Sequence, residues 1–195
     1  MHHIYHTEAF ILGSRPKGED SKILIVYTRE LGLIYAHAQG VRKLSSKLRY
    51  VLSDFARVNL DLVRGKEIWR VTTATPVHSY AVLRKARESE RILARIASLL
   101  MRLVAGEEAN HEVYATLART YDLLETAGVN TEDYRALELL AVARILTSLG
   151  YLSRALPGIV SEPGQEEVIP IEFSDIAYQH RLIRDINQAL AASQL

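Results

Sequence analysis

Apolar residues recur at two different periods in this chain, and the change falls near Pro76. Before it, apolar and polar side chains alternate in short runs separated by glycine, proline and charged turn residues. A period of two is that of a strand with one buried face. Beyond Pro76 the apolar residues step by three and four, as in a helix with one buried stripe. The expected fold class is therefore α+β: an N-terminal five-stranded OB-fold barrel over residues 1–80, then an all-α helical domain over 81–195.

The first strand is read at Glu8–Ser14 and ends in Gly13-Ser14-Arg15-Pro16-Lys17-Gly18, a loop by its glycine and proline content. Ser21–Thr28 is rich in β-branched and aromatic residues, and Arg29-Glu30-Leu31-Gly32 turns it into a hairpin with residues 33–40. Residues 41–53 lose the alternation and carry charge. Val58, Leu60 and Leu62 then alternate with Arg57, Asn59 and Asp61, and Arg64-Gly65-Lys66 leads into Glu67–Thr75, with Trp69, Val71 and Thr73 on one face.

In the second half, Arg91–Val104 places Ile92, Ile96, Leu99, Leu100 and Leu103 on one helical face. A second helix is expected from Asn110, a side-chain cap, to Ala127, with Gly128 after it. A third opens at Thr131-Glu132-Asp133 and runs to Leu149. Residues 153–172 hold three prolines and two glycines and form an irregular connector, after which Ser174-Asp175 starts a last helix.

The composition is that of a folded globular chain, with 48% hydrophobic and 24% charged residues. The absence of cysteine excludes disulfides, thiolate nucleophiles and sulfur-based zinc or iron–sulfur sites. Histidine and carboxylate remain as possible ligands, yet His37, His78, His111 and His180 are scattered, and His2, His3 and His6 fall in a terminus expected to fray. No triad, acid pair or glycine-rich phosphate loop is visible, so no cofactor and no enzymatic activity are expected. With no long apolar run and no signal-like N-terminus, the expected location is cytoplasmic, with no membrane partner.

The net charge of +1 conceals an asymmetry: residues 1–80 carry 12 Lys+Arg against 7 Asp+Glu, and residues 81–195 carry 12 against 16. Residues 31–53 contain four basic side chains, Arg42, Lys43, Lys47 and Arg49, and no acidic one. With the hydroxyls of Ser45 and Ser46 they form the donor set of a sequence-independent phosphate contact. On composition alone such a run reads first as a solvated surface segment. Arg15 and Lys17 make a second basic loop, offset by Glu19 and Asp20, at the strand 1–2 position that lines the binding face of OB-folds. Among aromatics that could stack on bases, Tyr27, Tyr35, Tyr50, Phe55 and Trp69, the alternation assigns Trp69 to the core, while Tyr50 lies within the basic segment.

Three stretches carry a resemblance to the bacterial RecO family: Gly18-Glu19-Asp20-Ser21-Lys22-Ile23-Leu24, Tyr27-Thr28-Arg29-Glu30-Leu31-Gly32-Leu33, and Ala38-Gln39-Gly40-Val41-Arg42-Lys43-Leu44-Ser45-Ser46-Lys47-Leu48. Asp54-Phe55 and the strands around Gly65 continue it through most of residues 8–80. Leu137-Glu138-Leu139-Leu140 and Leu149-Gly150-Tyr151 resemble a helical stretch of the same family. The resemblance implies a mediator of recombinational DNA repair that binds single- and double-stranded DNA without sequence preference and anneals complementary strands. It also implies work with RecR and the single-strand-binding protein SSB to let RecA load. Many members carry a four-cysteine zinc site where residues 153–172 stand here without a cysteine, so a short, metal-free variant of the family is expected.

On this basis Arg42, Lys43, Lys47 and Arg49, with Ser45, Ser46, Tyr50, Arg15 and Lys17, are the expected DNA contacts. The acidic helical half, which would repel DNA, is the expected partner-binding half. The alternative is an OB-fold adaptor whose basic surface docks an acidic protein; an enzyme with activity of its own comes third.

Overall fold

A computed structural model describes residues 3–77, 87–125, 131–152, 173 and 175–192. The connector at 153–172, the junction at 80–81, His2 and His78 lie outside the described residues. The chain divides into two compact units, Met1–Tyr114 and Ala115–Leu195.

Five strands form a closed barrel in the order β1-β2-β3-β5-β4: β1 Ile4–Lys17, β2 Ser21–Thr28, β3 Gly32–Ala38, β4 Arg57–Arg64 and β5 Trp69–Pro76. All seams are antiparallel except β3–β5, where Ala36 pairs with Trp69 and His37 with Arg70 in parallel. The OB-type barrel expected from the alternation is thus present, with helices after it. Ala9, Ile11, Leu24, Val26, Ile34, Ala36, Val58, Leu60, Leu62 and Trp69 fill the interior. Each large aliphatic side chain removed from water there contributes about 1.5–3 kcal/mol.

The strands depart from the sequence expectation at three places. The N-terminus does not fray: β1 starts at Ile4 and pairs with β4 over Ile4–Phe10, so His6 lies opposite Asp61, its ring nitrogen 2.6 Å from the carboxylate. The proposed loop at 13–18 is strand as far as Lys17. Between Ile11 and Gly13 the β1–β2 register slips by one, so Leu12 is an extra residue and Gly13 sits at the bend. Beyond Phe10, β1 pairs only with β2, and Pro16 is tolerated because it lies on that open edge. Finally, Thr73 does not share the inner face with Trp69 and Val71. A second bulge, between Asp61 and Leu62 on the partner, leaves Thr72 over and reverses the alternation, burying Ala74 instead.

Between β3 and β4 the chain makes three linked turns, with Lys43 N–H to the Gly40 carbonyl, Ser46 N–H to Lys43 and Arg49 N–H to Ser46, and ends in the short helix α1 (Leu48–Val51). Val41 and Leu52 are buried and Leu48 and Val51 pack beside them, closing one end of the barrel. In the same unit, α2 (Arg87–Leu103) packs against β1 and buries Ile92, Leu93, Ile96, Leu100 and Leu103. It begins four residues before the expected start at Arg91.

Helix α3 (His111–Glu125) starts where expected: the Asn110 side-chain oxygen accepts from the N–H groups of Glu112 and Val113, both at 3.1 Å. In the second unit α4 (Thr131–Ser148) is buried on several sides, by Leu137, Leu140, Ala143, Ile145 and Leu146 among others, and packs against α5 (Ile176–Ala192). Gly150, at φ +80, follows the end of α4, and the Tyr151 N–H returns to the Leu146 carbonyl at 2.8 Å. Asp175 caps α5 through the Ala177 N–H at 2.9 Å. Among the described residues no helix is long and apolar enough to cross a membrane.

Candidate nucleic-acid interface

Residues 41–52 form an amphipathic lid, and this explains why the segment loses its alternation. Val41, Leu48, Val51 and Leu52 plug the barrel end, while the polar side chains between them, and Leu44, are turned outward. Arg42, Arg49 and Tyr50 from the lid, with Lys22 from β2 and Phe55 beyond α1, line a groove of about 620 Å³ that also includes Val41, Ser53, Asp54 and Glu90. Three cations therefore face two carboxylates, and Asp54 is partly engaged by the Ser14 hydroxyl at 2.7 Å.

The lid is tied to the β1–β2 turn. The Arg42 N–H donates to the Asp20 carbonyl at 2.8 Å, its guanidinium donates to the Gly18 carbonyl at 3.0 Å, and the Lys43 ammonium lies 3.6 Å from the Asp20 carboxylate. These contacts fix the direction of both side chains but are exposed, so each is worth at most about 1 kcal/mol and can yield to a phosphate. Lys47 and Ser45 are exposed on the same turns and Ser46 is half-buried, yet none of them lines the groove.

Of the aromatic candidates, Tyr50 is 75% exposed and Tyr35 44%, whereas Tyr27 is fully buried and Trp69 is 3% exposed. The Tyr27 hydroxyl donates to the Asn110 carbonyl at 3.3 Å, and burial pushes the phenol up to about 12. The Trp69 ring packs edge-on to Tyr5, lies under the Arg64 guanidinium, and donates its indole N–H to Glu107 at 3.1 Å. Trp69 is thus a structural residue, as its alternation predicted. Phe55 is half-buried at φ 63, a left-handed conformation that costs a bulky residue about 1–3 kcal/mol. It is held by its own N–H to the Ile11 carbonyl, at 2.8 Å, and by the Ile11 N–H to Ala56, at 2.9 Å. The bulged part of β1 thereby sets the ring that lines the groove.

Arg15 and Lys17 lie elsewhere. Arg15 is exposed near the end of β1, paired with Ile23, which pairs in turn with His37. Lys17 lines a second groove, of about 570 Å³, with His37 from β3, Arg64 and Arg70 from the ends of β4 and β5, and the turn Gly65-Lys66-Glu67-Ile68 between them. Arg64 is ion-paired with Glu107. The His37 imidazole is held below its ordinary pKa, first by partial burial and then by the charges of Lys17 and Arg70. Sequence reasoning missed Arg64, Lys66, Arg70 and His37 as a group, because 28 positions separate His37 from Gly65 in the chain and only the barrel closure joins them. The available signal was the β4–β5 turn itself, since loops 1–2 and 4–5 frame the ligand face of OB-folds.

Among the described residues no three His, Asp or Glu side chains are placed to hold a metal ion. A four-cysteine zinc site cannot be formed by a chain without cysteine.

The closed barrel, its lid between β3 and β4 and its following helices define an OB-fold protein with a helical extension. The family model described as "Recombination protein O N terminal" matches residues 1–80. A DNA repair protein RecO of Pelotomaculum thermopropionicum is 34% identical over 149 residues, 76% of this chain and 56% of that protein. The DNA repair protein RecO of Heliobacterium modesticaldum is 41% identical over 80 residues, 41% and 29% of the two chains. That of Dehalococcoides mccartyi is 31% identical over 123 residues, 63% and 49%. Residues 1–80 thus match the RecO family, and the chain spans about half the length of the curated relatives it matches.

Proposed function

We propose that this protein is a DNA-repair mediator that binds single- and double-stranded DNA through the lid of its barrel and anneals complementary strands without chemistry of its own. The observation that carries the reading is the convergence of Arg42, Arg49 and Lys22 with Tyr50 and Phe55 on one groove. Cations there would take phosphates of any sequence, and the exposed ring of Tyr50 would take the face of an unpaired base, worth about 1–3 kcal/mol. Such contacts leave the base edges free to find their complement, which annealing requires and base-specific contacts would prevent. Lys43, Lys47, Ser45 and Ser46, exposed or half-exposed along the same turns, extend the phosphate track beyond the groove. Arg15 and Lys17 add positive charge on the barrel wall.

In this reading the acidic half of the chain takes the protein partners: RecR and SSB, and through them the loading of RecA. The relatives' shared name, DNA repair protein RecO, supports the cellular role.

The test is binding of a labelled single-stranded oligonucleotide across a salt series. With four to six phosphates neutralised, the slope of log affinity against log salt is about −3 to −4, at about 0.7 per phosphate. The pair Arg42→Glu with Lys43→Glu removes most of the affinity and leaves the fold intact. An affinity that ignores salt, or a double variant that binds as the parent does, would reject the lid as the DNA site. Complementary strands that pair no faster with the protein than without it would reject annealing.

A further inference from the structure

We propose that the groove between the β1 end, β3 and the β4–β5 turn is a second, separate site for a single-stranded DNA backbone, so that one barrel holds two strands at once. The inference rests on the proposed function above and deepens it. Lys17, Lys66 and Arg70 are exposed around this groove, and Arg64 stands at its edge, sharing its charge with Glu107; Glu67 is the one carboxylate of the lining. The cationic surplus suits a polyanion, and the groove shares no lining residue with the lid groove.

The base of the turn is closed by a hydrogen bond. The Gly65 N–H donates to the Ile68 carbonyl at 3.2 Å, and a Cβ at Gly65 would stand 2.3 Å from that same oxygen. A side chain there would have to push the Ile68 carbonyl away.

What separates the two sites is the β1–β2 turn. Lys17 lines one groove and Lys22 the other, and the residues linking them, Gly18-Glu19-Asp20, are exposed and carry two carboxylates. Arg42 and Lys43 hold this turn in place. A single strand running from groove to groove would have to pass those carboxylates, whereas two strands, one on each side, would not. Annealing needs two polyanions brought close while each is neutralised separately, and two cationic tracks with a short negative ridge between them supply that arrangement.

The experiment is a stoichiometric titration of the full chain, at low salt, with a labelled oligothymidylate about 8 nucleotides long, a length within the range of a single OB-fold site. The expected result is two oligonucleotides per chain, falling to one in Lys66→Glu with Arg70→Glu and to one in Arg42→Glu with Lys43→Glu. The first of these variants should also lose annealing by about tenfold or more while keeping its lid-groove binding. Because Arg70 sits on the β3–β5 seam, the pair Lys17→Glu with Lys66→Glu repeats the test away from it, and native Trp69 emission verifies the fold. One oligonucleotide per parental chain, lost entirely in Arg42→Glu with Lys43→Glu, overturns the second site and leaves the lid intact as the DNA site. Two per chain, unchanged in both second-groove variants, also overturns it. No binding by the parental chain sinks the DNA reading itself.

Discussion

Replacing Gly32 with alanine should displace the segment between α2 and α3 from the barrel. Gly32 opens β3 at φ +68, in a turn where the Thr28 hydroxyl donates to the Gly32 carbonyl and accepts from the Leu31 N–H, both at 3.0 Å. A Cβ there would stand 2.1 Å from the carbonyl oxygen of Glu108, 2.6 Å from its carbonyl carbon and 2.9 Å from its nitrogen. All three are backbone atoms, so residues 107–110 would have to retreat by more than an ångström.

That segment holds two anchors: Glu107, which accepts the Trp69 indole N–H and pairs with Arg64, and Asn110, whose carbonyl accepts from Tyr27. The left-handed conformation alone costs alanine about 1–2 kcal/mol. Two lost hydrogen bonds, one of them from a nearly buried indole, add about 1 kcal/mol each. The sum, about 3–4 kcal/mol, is a large part of the 5–15 kcal/mol that holds a domain together. Urea denaturation followed by fluorescence of the single tryptophan reads it directly. With a slope near 2 kcal/mol per molar the midpoint falls by about 2 M, and native emission shifts as the indole loses Glu107. A midpoint within about 0.2 M of the parent would mean that the turn and the 107–110 segment do not press on each other as described.

Other perturbations separate stability from binding. Tyr50→Ala, at a 75% exposed position, should leave stability within about 0.5 kcal/mol while weakening single-strand binding roughly tenfold; unchanged binding would show the ring to be a bystander. Leu52→Ala, at a fully buried plug of the barrel end, should cost about 2–5 kcal/mol, whereas Leu44→Ala, 89% exposed, should cost almost nothing, and equal thermal midpoints for the two would contradict the lid. Tyr27 titrates near 10 when unfolded and at about 12 in the folded chain. Its contribution to stability is therefore complete below pH 10 and lost as pH rises through 12. Urea midpoints measured between pH 8 and 11.5 should fall once the pH passes about 10, less steeply in Tyr27→Phe; an identical fall in the variant would assign the loss to other groups.

The barrel was legible because its strands obey a period of two almost throughout, and the one misassigned face, at Thr73, traces to a single bulged residue. Leu12 and Thr72 are bulged, and nothing in their side chains distinguishes a residue that is skipped from one that is paired. The loop expected at 13–18 became strand for a related reason: whether Pro16 breaks a strand depends on which edge carries a partner, a property of the sheet and not of the tripeptide. The basic run at 42–49 was visible as charge, but its division was not. Packing of Val41, Leu48 and Leu52 into the barrel end decides that Arg42 and Arg49 enter the groove while Lys47 stays outside. The second groove was least legible, since its residues come from three stretches that are brought together by strand pairing.

The parallel β3–β5 seam is two residue pairs long, against seven along β2–β3, and parallel ladders are slightly weaker per residue. His37 and Arg70, one of those pairs, are also walls of the second groove. A polyanion lying there would bridge the two strands from outside and bind the shut barrel in preference to an opened one. By mass action it would act as a clasp, adding about 2.7 kcal/mol to closure at a hundredfold excess over its dissociation constant. Hydrogen exchange along this seam would then slow with occupancy of the wall, while exchange along β2–β3 would hardly change.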